Sequence, residues 1–141
     1  MRLRDAVESD ADALASMTDR PTDVMRNVIH ERSVRVAASG IESDEVAESD
    51  EVAGFVAFDA RSGVVHVTDF GGEPEAVKRL FQAPREFAAN EGMEVETVID
   101  DDDVERMKLI ETLGFRSAGN GPRFEGRSTT RFRLDPDGSV E

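Results

Sequence analysis

The segment Met93–Phe115, MEVETVIDDDDVERMKLIETLGF, constrains the fold most, because it contains a strand, a helix start and a helix stop in succession. Residues of high β propensity alternate over 95–99 and end at the four aspartates Asp100–Asp103, which predicts a short strand. A helical apolar stripe follows, formed by Val104, Met107, Leu109, Ile110 and Leu113. Acidic residues at its start suit the positive end of a helix dipole. Gly114 then predicts the end of this helix, and Phe115 the return of the chain to the core.

The same kinds of pattern predict the remaining helices and strands. Before the segment we expect a strand near 3–7, helices at about 9–18 and 21–32, a strand at 33–38, and a hairpin with strands at 52–58 and 64–70. A long helix opened by Pro74 follows, with Phe87 on its buried side, and Pro84 should kink or break it near 80–83. After the segment we expect strands at about 115–124 and 128–134, with Phe124, Phe132 and Leu134 in the core.

A short internal repeat interrupts this order of elements. SDEVAE at 43–48 is followed directly by SDEVAG at 49–54, and only the second copy continues into an apolar strand. The first copy carries too much charge for its few apolar residues. We therefore predict an acidic loop at 41–50 within a single domain spanning 1–136, and a frayed tail at 137–141.

The composition limits where the protein works and what it binds. The chain has 141 residues, no cysteine and a formal net charge of -14, with Lys78 and Lys108 as its two lysines. The absence of cysteine favours the cytoplasm, and no apolar run is long enough to predict a membrane span. The negative charge argues against nucleic-acid binding. An acidic, lysine-poor surface is typical of proteins adapted to molar salt, which predicts a halophilic source.

The C-terminal strands depart from this acidic composition. Five arginines lie in this region: Arg116, Arg123, Arg127, Arg131 and Arg133. They could protect an edge strand and form ion pairs with the acidic body, or they could form an anion-binding site.

The order of elements, β-α-α-β-β-β-α-β-α-β-β, and the Leu113-Gly114-Phe115 ending resemble the GNAT acyl-CoA N-acyltransferase superfamily. The resemblance implies a single-domain α/β (α+β) fold with a mixed, mostly antiparallel sheet of about seven strands and about four helices. It also implies that acetyl-CoA donates an acetyl group to the amine of a small molecule or peptide, and it leaves a homodimer open. The alternative is a non-catalytic binding or regulatory module with the same fold.

Site residues carried over from the family lie mainly on the fourth strand. There the resemblance implies that Val67, Thr68, Phe70, Gly71, Gly72 and Asp100 bind the cofactor. Asp69 and His66 are the catalytic candidates, although Asp69 could instead cap the glycine turn and His66 could be an ordinary strand residue. Because the two positions differ in parity, regular pleating directs them to opposite faces. We expect no metal site, since acids such as Asp100–Asp103 at a helix start usually complement its dipole.

Two features depart from the family pattern. The chain has Gly71-Gly72-Glu73-Pro74-Glu75-Ala76 where the family's phosphate loop usually reads Gln/Arg-x-x-Gly-x-Gly/Ala. The tyrosine that often serves as the general acid aligns with Ile110, and the chain contains no tyrosine. These departures favour the non-catalytic alternative.

Overall fold

The computed structural model describes residues 2–39 and 51–135, so the loop predicted at 41–50 and the tail predicted at 137–141 lie outside the described residues. The strands are β1 (Arg2–Asp5), β2 (Ser33–Ser39), β3 (Glu51–Arg61), β4 (Val64–Gly72), β5 (Glu94–Asp100), β6 (Arg116–Asn120) and β7 (Thr129–Leu134). The helices are α1 (Ala11–Thr18), which follows a 3-10 turn at Glu8–Asp10, α2 (Thr22–Glu31), α3 (Pro74–Leu80), α4 (Gln82–Glu91) and α5 (Val104–Thr112). The predicted order of elements is confirmed.

One compact unit combines the N-terminal elements through Phe58 with Asp69–Gln82. In this unit β2 pairs antiparallel with both β1 and β3, so that Val36 lies opposite Phe55. The helices α1 and α2 contribute Leu14 and Met25 to a core shared with these strands. This apolar burial is the main stabilising contribution in the unit.

The first turn after β1 is fixed by a buried ion pair. Both guanidinium Nη atoms of Arg4 contact the Asp10 carboxylate, at 2.8 and 3.0 Å. The Asp10 carboxylate also accepts a hydrogen bond from the backbone N–H of Val7 at 2.8 Å. These bonds satisfy a charge that would be costly to bury alone.

The second compact unit combines Asp59–Thr68 with the chain from Ala83 onward. Here Ser62 and Gly63 form the turn between β3 and β4, with φ angles of 53° and 78° that suit a two-residue hairpin loop. β4 pairs in parallel with β5, β5 pairs antiparallel with β7, and β7 pairs antiparallel with β6. The buried apolar residues of this unit include Val65, Val95, Ile99, Phe115, Phe132 and Leu134.

The seven strands follow the order β1-β2-β3-β4-β5-β7-β6 in one mixed sheet, which confirms the predicted fold class. The predicted helix break is confirmed as well, since α3 ends at Leu80 and α4 begins at Gln82. The start and end of α5 also agree with prediction. The carboxylate of Asp103 accepts a hydrogen bond from the Arg106 N–H at 3.1 Å, and Gly114 has a φ of 97°.

Three residues that the sequence placed in the core or on an apolar helix face are exposed: Phe87, Val104 and Phe124. In α4 the buried line runs through Pro84 and Ala88, and Phe87 lies about 100° away from Ala88 around the helix. Steps of three residues drift by about 60° each, which separates Val104 from the buried Ile110 in α5. Because β6 ends at Asn120, Phe124 lies in a turn outside the strands.

Candidate functional site

The fourth strand carries seven of the eight predicted site residues, and it changes its pairing partway along. Val64 to Val67 pair in parallel with Glu94 to Thr97, and this ladder ends at the pair Val67 and Thr97. β4 itself continues to Gly72. The stretch Thr68–Gly72 therefore lies beyond the parallel ladder and leads directly into the start of α3.

Asp69 is a buried carboxylate within this stretch, with 8% of its surface exposed. Its Oδ1 atom accepts a hydrogen bond from the backbone N–H of Phe70 at 2.9 Å. Its Oδ2 atom lies 3.6 Å from Nε of Arg20, in the turn between α1 and α2. Sequence reasoning identified Asp69 but missed Arg20, because nothing in the sequence places a turn 49 positions earlier beside β4.

His66 is half-buried on β4. Its register partner in β5 is Glu96. Glu96 is buried and forms ion pairs with Nε of Arg131 at 3.1 Å and Nε of Arg133 at 2.9 Å. His66 therefore lies beside a paired, polar residue of β5.

The side chains of Val67 and Phe70 belong to the core. The Phe70 ring packs edge-to-face on Phe81, with ring centroids 5.2 Å apart. The Val67 carbonyl accepts a hydrogen bond from the Thr97 hydroxyl at 3.1 Å. These side chains fix the position of β4, whereas Thr68 and Gly71 are half-buried.

Gly72 packs β4 directly against the backbone of β3. Its φ is 110°, and a Cβ atom added there would lie 2.2 Å from the Ala53 carbonyl oxygen and 2.4 Å from Cα of Gly54. The next residue, Glu73, donates its backbone N–H to the same Ala53 oxygen at 2.8 Å. Close backbone packing therefore explains this glycine without a ligand.

The first turn of α3 is a poor fit for a pyrophosphate. Pro74 is the first helical residue and has no N–H, and the Val77 N–H already donates to the Glu73 carbonyl at 3.0 Å. The amides of Glu75 and Ala76 remain as first-turn donors. Two carboxylates, those of Glu73 and Glu75, would repel a phosphate there.

Asp100, the eighth predicted site residue, ends β5 and lies 3.7 Å from Nε of Arg127. The neighbouring Asp101 accepts a hydrogen bond from the Thr130 hydroxyl at 2.6 Å. This bond, with a smaller contribution from Ser128 and the charge of Arg123, holds the pKa of the Asp101 carboxyl below its usual range.

Ion pairing accounts for most of the C-terminal arginines. Arg131 and Arg133 contact Glu96, Arg127 contacts Asp100, and Arg116 contacts Asp135 at 3.1 Å. These contacts support the ion-pairing interpretation over a free anion site.

The described residues contain no helix that is both long and apolar enough to cross a membrane.

Comparison with known proteins rests on structure alone, since no protein-family model and no curated protein matches the sequence. Arabidopsis thaliana NAA60, solved with a bisubstrate analogue, superposes with a TM-score of 0.75 at 16% identity, covering 98% of this chain and 99% of that one. An acetyltransferase of the GNAT family from Desulfovibrio desulfuricans gives a TM-score of 0.72 at 15% identity, with coverage of 96% and 98%.

YncA from Salmonella typhimurium, described as an acetyltransferase and solved with acetyl-CoA, gives a TM-score of 0.67 at 19% identity, with coverage of 100% and 96%. The three structures agree with this chain over nearly its whole length. They establish that it has the fold of GNAT acetyltransferases.

Proposed function

We propose that this protein is an N-acetyltransferase that moves an acetyl group from acetyl-CoA to the amine of a small molecule or peptide. The observation that carries the proposal is the buried Asp69 carboxylate on β4, just beyond the end of its parallel ladder, in a fold that solved acetyltransferases share. YncA, with the same fold, was solved with acetyl-CoA.

Asp69 is suited to bind and deprotonate an acceptor amine. An alkylammonium must lose a proton before its nitrogen can attack a thioester carbonyl, and a nearby carboxylate can accept that proton directly or through water. A buried carboxylate also fixes the direction of approach. As the new carbon–nitrogen bond forms, the carbon–sulfur bond breaks and the thiolate leaves. Because the chain has no tyrosine, water or another group must protonate the thiolate. The proton that the attacking nitrogen loses as the amide forms balances this step.

Acetyl-CoA supplies the activated acetyl group. We infer that the backbone of Val67, Thr68, Phe70, Gly71 and Gly72 lies along it, because the side chains of Val67 and Phe70 are occupied in the core. Asp100 stays a predicted cofactor residue, although its carboxylate already pairs with Arg127. His66 stays the second catalytic candidate.

A binding or regulatory module that has lost the cofactor is the second candidate function. The sequence Glu73-Pro74-Glu75 at the start of α3 favours it, because this turn offers few amide donors and two negative charges to a pyrophosphate.

Thermal unfolding with and without acetyl-CoA separates the two candidates. A ligand at 100 times its dissociation constant stabilises the folded state by about 2.7 kcal/mol, which raises the melting temperature of a chain of this size by several degrees. An N-acetyltransferase should show this increase at millimolar acetyl-CoA, and desulfo-coenzyme A is the control for the thioester. No increase in either low or high salt would favour the module.

We further propose that the protein works in the cytoplasm of a salt-adapted cell, on the basis of its acidic, cysteine-free composition. A homodimer stays a prediction, which sedimentation equilibrium in molar potassium chloride would test.

A further inference from the structure

The contact between Arg20 and Asp69 joins an exposed cation to a buried anion. The Arg20 side chain is 49% exposed, whereas that of Asp69 is 8% exposed. The Nε to Oδ2 distance of 3.6 Å exceeds the usual length of a charge-assisted hydrogen bond, which is about 2.7–2.9 Å. The Arg20 contact is therefore longer than a hydrogen bond at this oxygen, and a smaller cation in the place of the guanidinium could lie closer to it.

The turn that carries Arg20 has hydrogen bonds of its own, apart from this ion pair. Asp19 takes the left-handed conformation with a φ of 60°, and the Arg20 N–H donates to the Thr18 hydroxyl oxygen at 3.3 Å. Pro21 then caps α2, since its carbonyl accepts hydrogen bonds from the N–H groups of Val24 and Met25 at 3.1 and 3.2 Å. Local bonds thus hold the turn, and the side chain of Arg20 is free to leave Asp69 without unfolding it.

We propose that Arg20 occupies the position of the acceptor's ammonium group when no acceptor is bound, and that Asp69 selects acceptors with a cationic primary amine and no carboxylate nearby. The inference rests on the proposed function, because it gives that function a substrate class. An alkylammonium is small enough to reach hydrogen-bond distance from Oδ2 and so to displace the guanidinium. The net charge of -14 favours approach of the same class of substrate.

Arg20 is then a competitor of the acceptor rather than part of its binding site. A half-exposed ion pair is weak, so its removal should strengthen acceptor binding by no more than about fivefold. Loss of the Asp69 charge should weaken binding in every background, because the acceptor would lose its counterion.

Acceptor binding can be measured without acetyl-CoA, by NMR titration of the isotope-labelled protein with 1,5-diaminopentane. The side-chain Nε–H signal of Arg20, assigned with R20K, should shift as the amine displaces it. We expect R20A to bind the diamine two- to fivefold more tightly than the wild type, and D69N to bind it at least tenfold more weakly. The control is R26A, which removes the same charge from ion pairs with the exposed Glu8 and Asp23.

Equal or weaker binding by R20A than by R26A would overturn the proposal, and so would unchanged binding by D69N. If D69N does not fold, the comparison of R20A with R26A decides alone. This titration needs no acetyl-CoA. Diamine binding with this pattern, in a protein that transfers no acetyl group, would refute the proposed function and leave only the competition between Arg20 and a cationic amine for Asp69.

Discussion

Replacing Gly72 by alanine tests whether this glycine is required for packing, and Gly63 provides a matched control. Both glycines have positive φ angles, 110° for Gly72 and 78° for Gly63. A Cβ atom at Gly63 would meet nothing within 4 Å, whereas one at Gly72 would lie 2.2 Å from the Ala53 carbonyl oxygen. Both substitutions thus place alanine at a positive φ angle, but only the one at Gly72 also brings its Cβ atom into contact with the backbone of β3.

The expected magnitudes follow from these two costs. A non-glycine residue at such φ angles costs about 1–2 kcal/mol. The clash at Gly72 is with backbone, which cannot rotate away as a side chain can, so overpacking should add about 1–3 kcal/mol. Both alanines restrict the unfolded chain equally, and that effect cancels in the comparison. We expect G72A to be less stable than G63A by at least about 1 kcal/mol.

Urea unfolding followed by circular dichroism measures the difference, provided that both variants keep the wild-type slope. A G72A stability within about 0.5 kcal/mol of G63A would show that β3 and β4 are not packed as closely as the structure indicates. It would also reopen a cofactor role as the reason for this glycine.

Three further predictions concern charge. E96Q should lower the free energy of unfolding by about 1–2 kcal/mol in urea titrations, because Glu96 is the buried partner of two arginines. E94Q, at a more exposed carboxylate, should lower it by less than about 0.5 kcal/mol. Equal losses in the two variants would contradict the assigned burial. T130V should raise the pKa of Asp101 toward its usual range in an NMR titration. Since the pKa of Asp101 is lowered in the folded state, the stability from this hydrogen bond is present above the pKa of the unfolded state. That stability is lost as the pH falls through the pKa of the folded state. An unchanged pKa of Asp101 in T130V would refute the bond. The melting temperature should rise between dilute buffer and 2 M potassium chloride, because the screening length falls from about 10 Å at 0.1 M salt to about 3 Å at 1 M. An unchanged melting temperature would argue that repulsion between the acidic residues does not destabilise the fold.

The fold could be predicted because its elements are encoded locally. The alternation at 95–99, the aspartates before α5 and Gly114 after it each specify a strand, a helix start or a helix stop, and the structure confirms all three. Side-chain burial was less predictable. Val104 matches a helical stripe only when steps of three residues are treated as one face. Phe87 was placed on the face of Ala88, although adjacent helical positions lie about 100° apart.

The candidate site was predictable only in part. The sequence proposed Asp69 as a candidate because β4 has a local signature, whereas Gly71 and Gly72, predicted to form a turn, lie within β4. The partners Arg20 and Glu96 could not be found, since an ion pair depends on which elements the fold brings together. The close approach of Gly72 to Ala53 is likewise a tertiary contact that no local pattern encodes.

The most direct test of the account is to incubate the wild-type protein with isotope-labelled acetyl-CoA and a panel of primary amines in molar salt, and to detect labelled amides by mass spectrometry. Labelled product should form with cationic alkylamines, and D69N should form at least tenfold less of it, while R26A stays near the wild-type rate. Absence of labelled amide from every amine, with folded protein and intact acetyl-CoA, would contradict the assignment of this chain as an N-acetyltransferase.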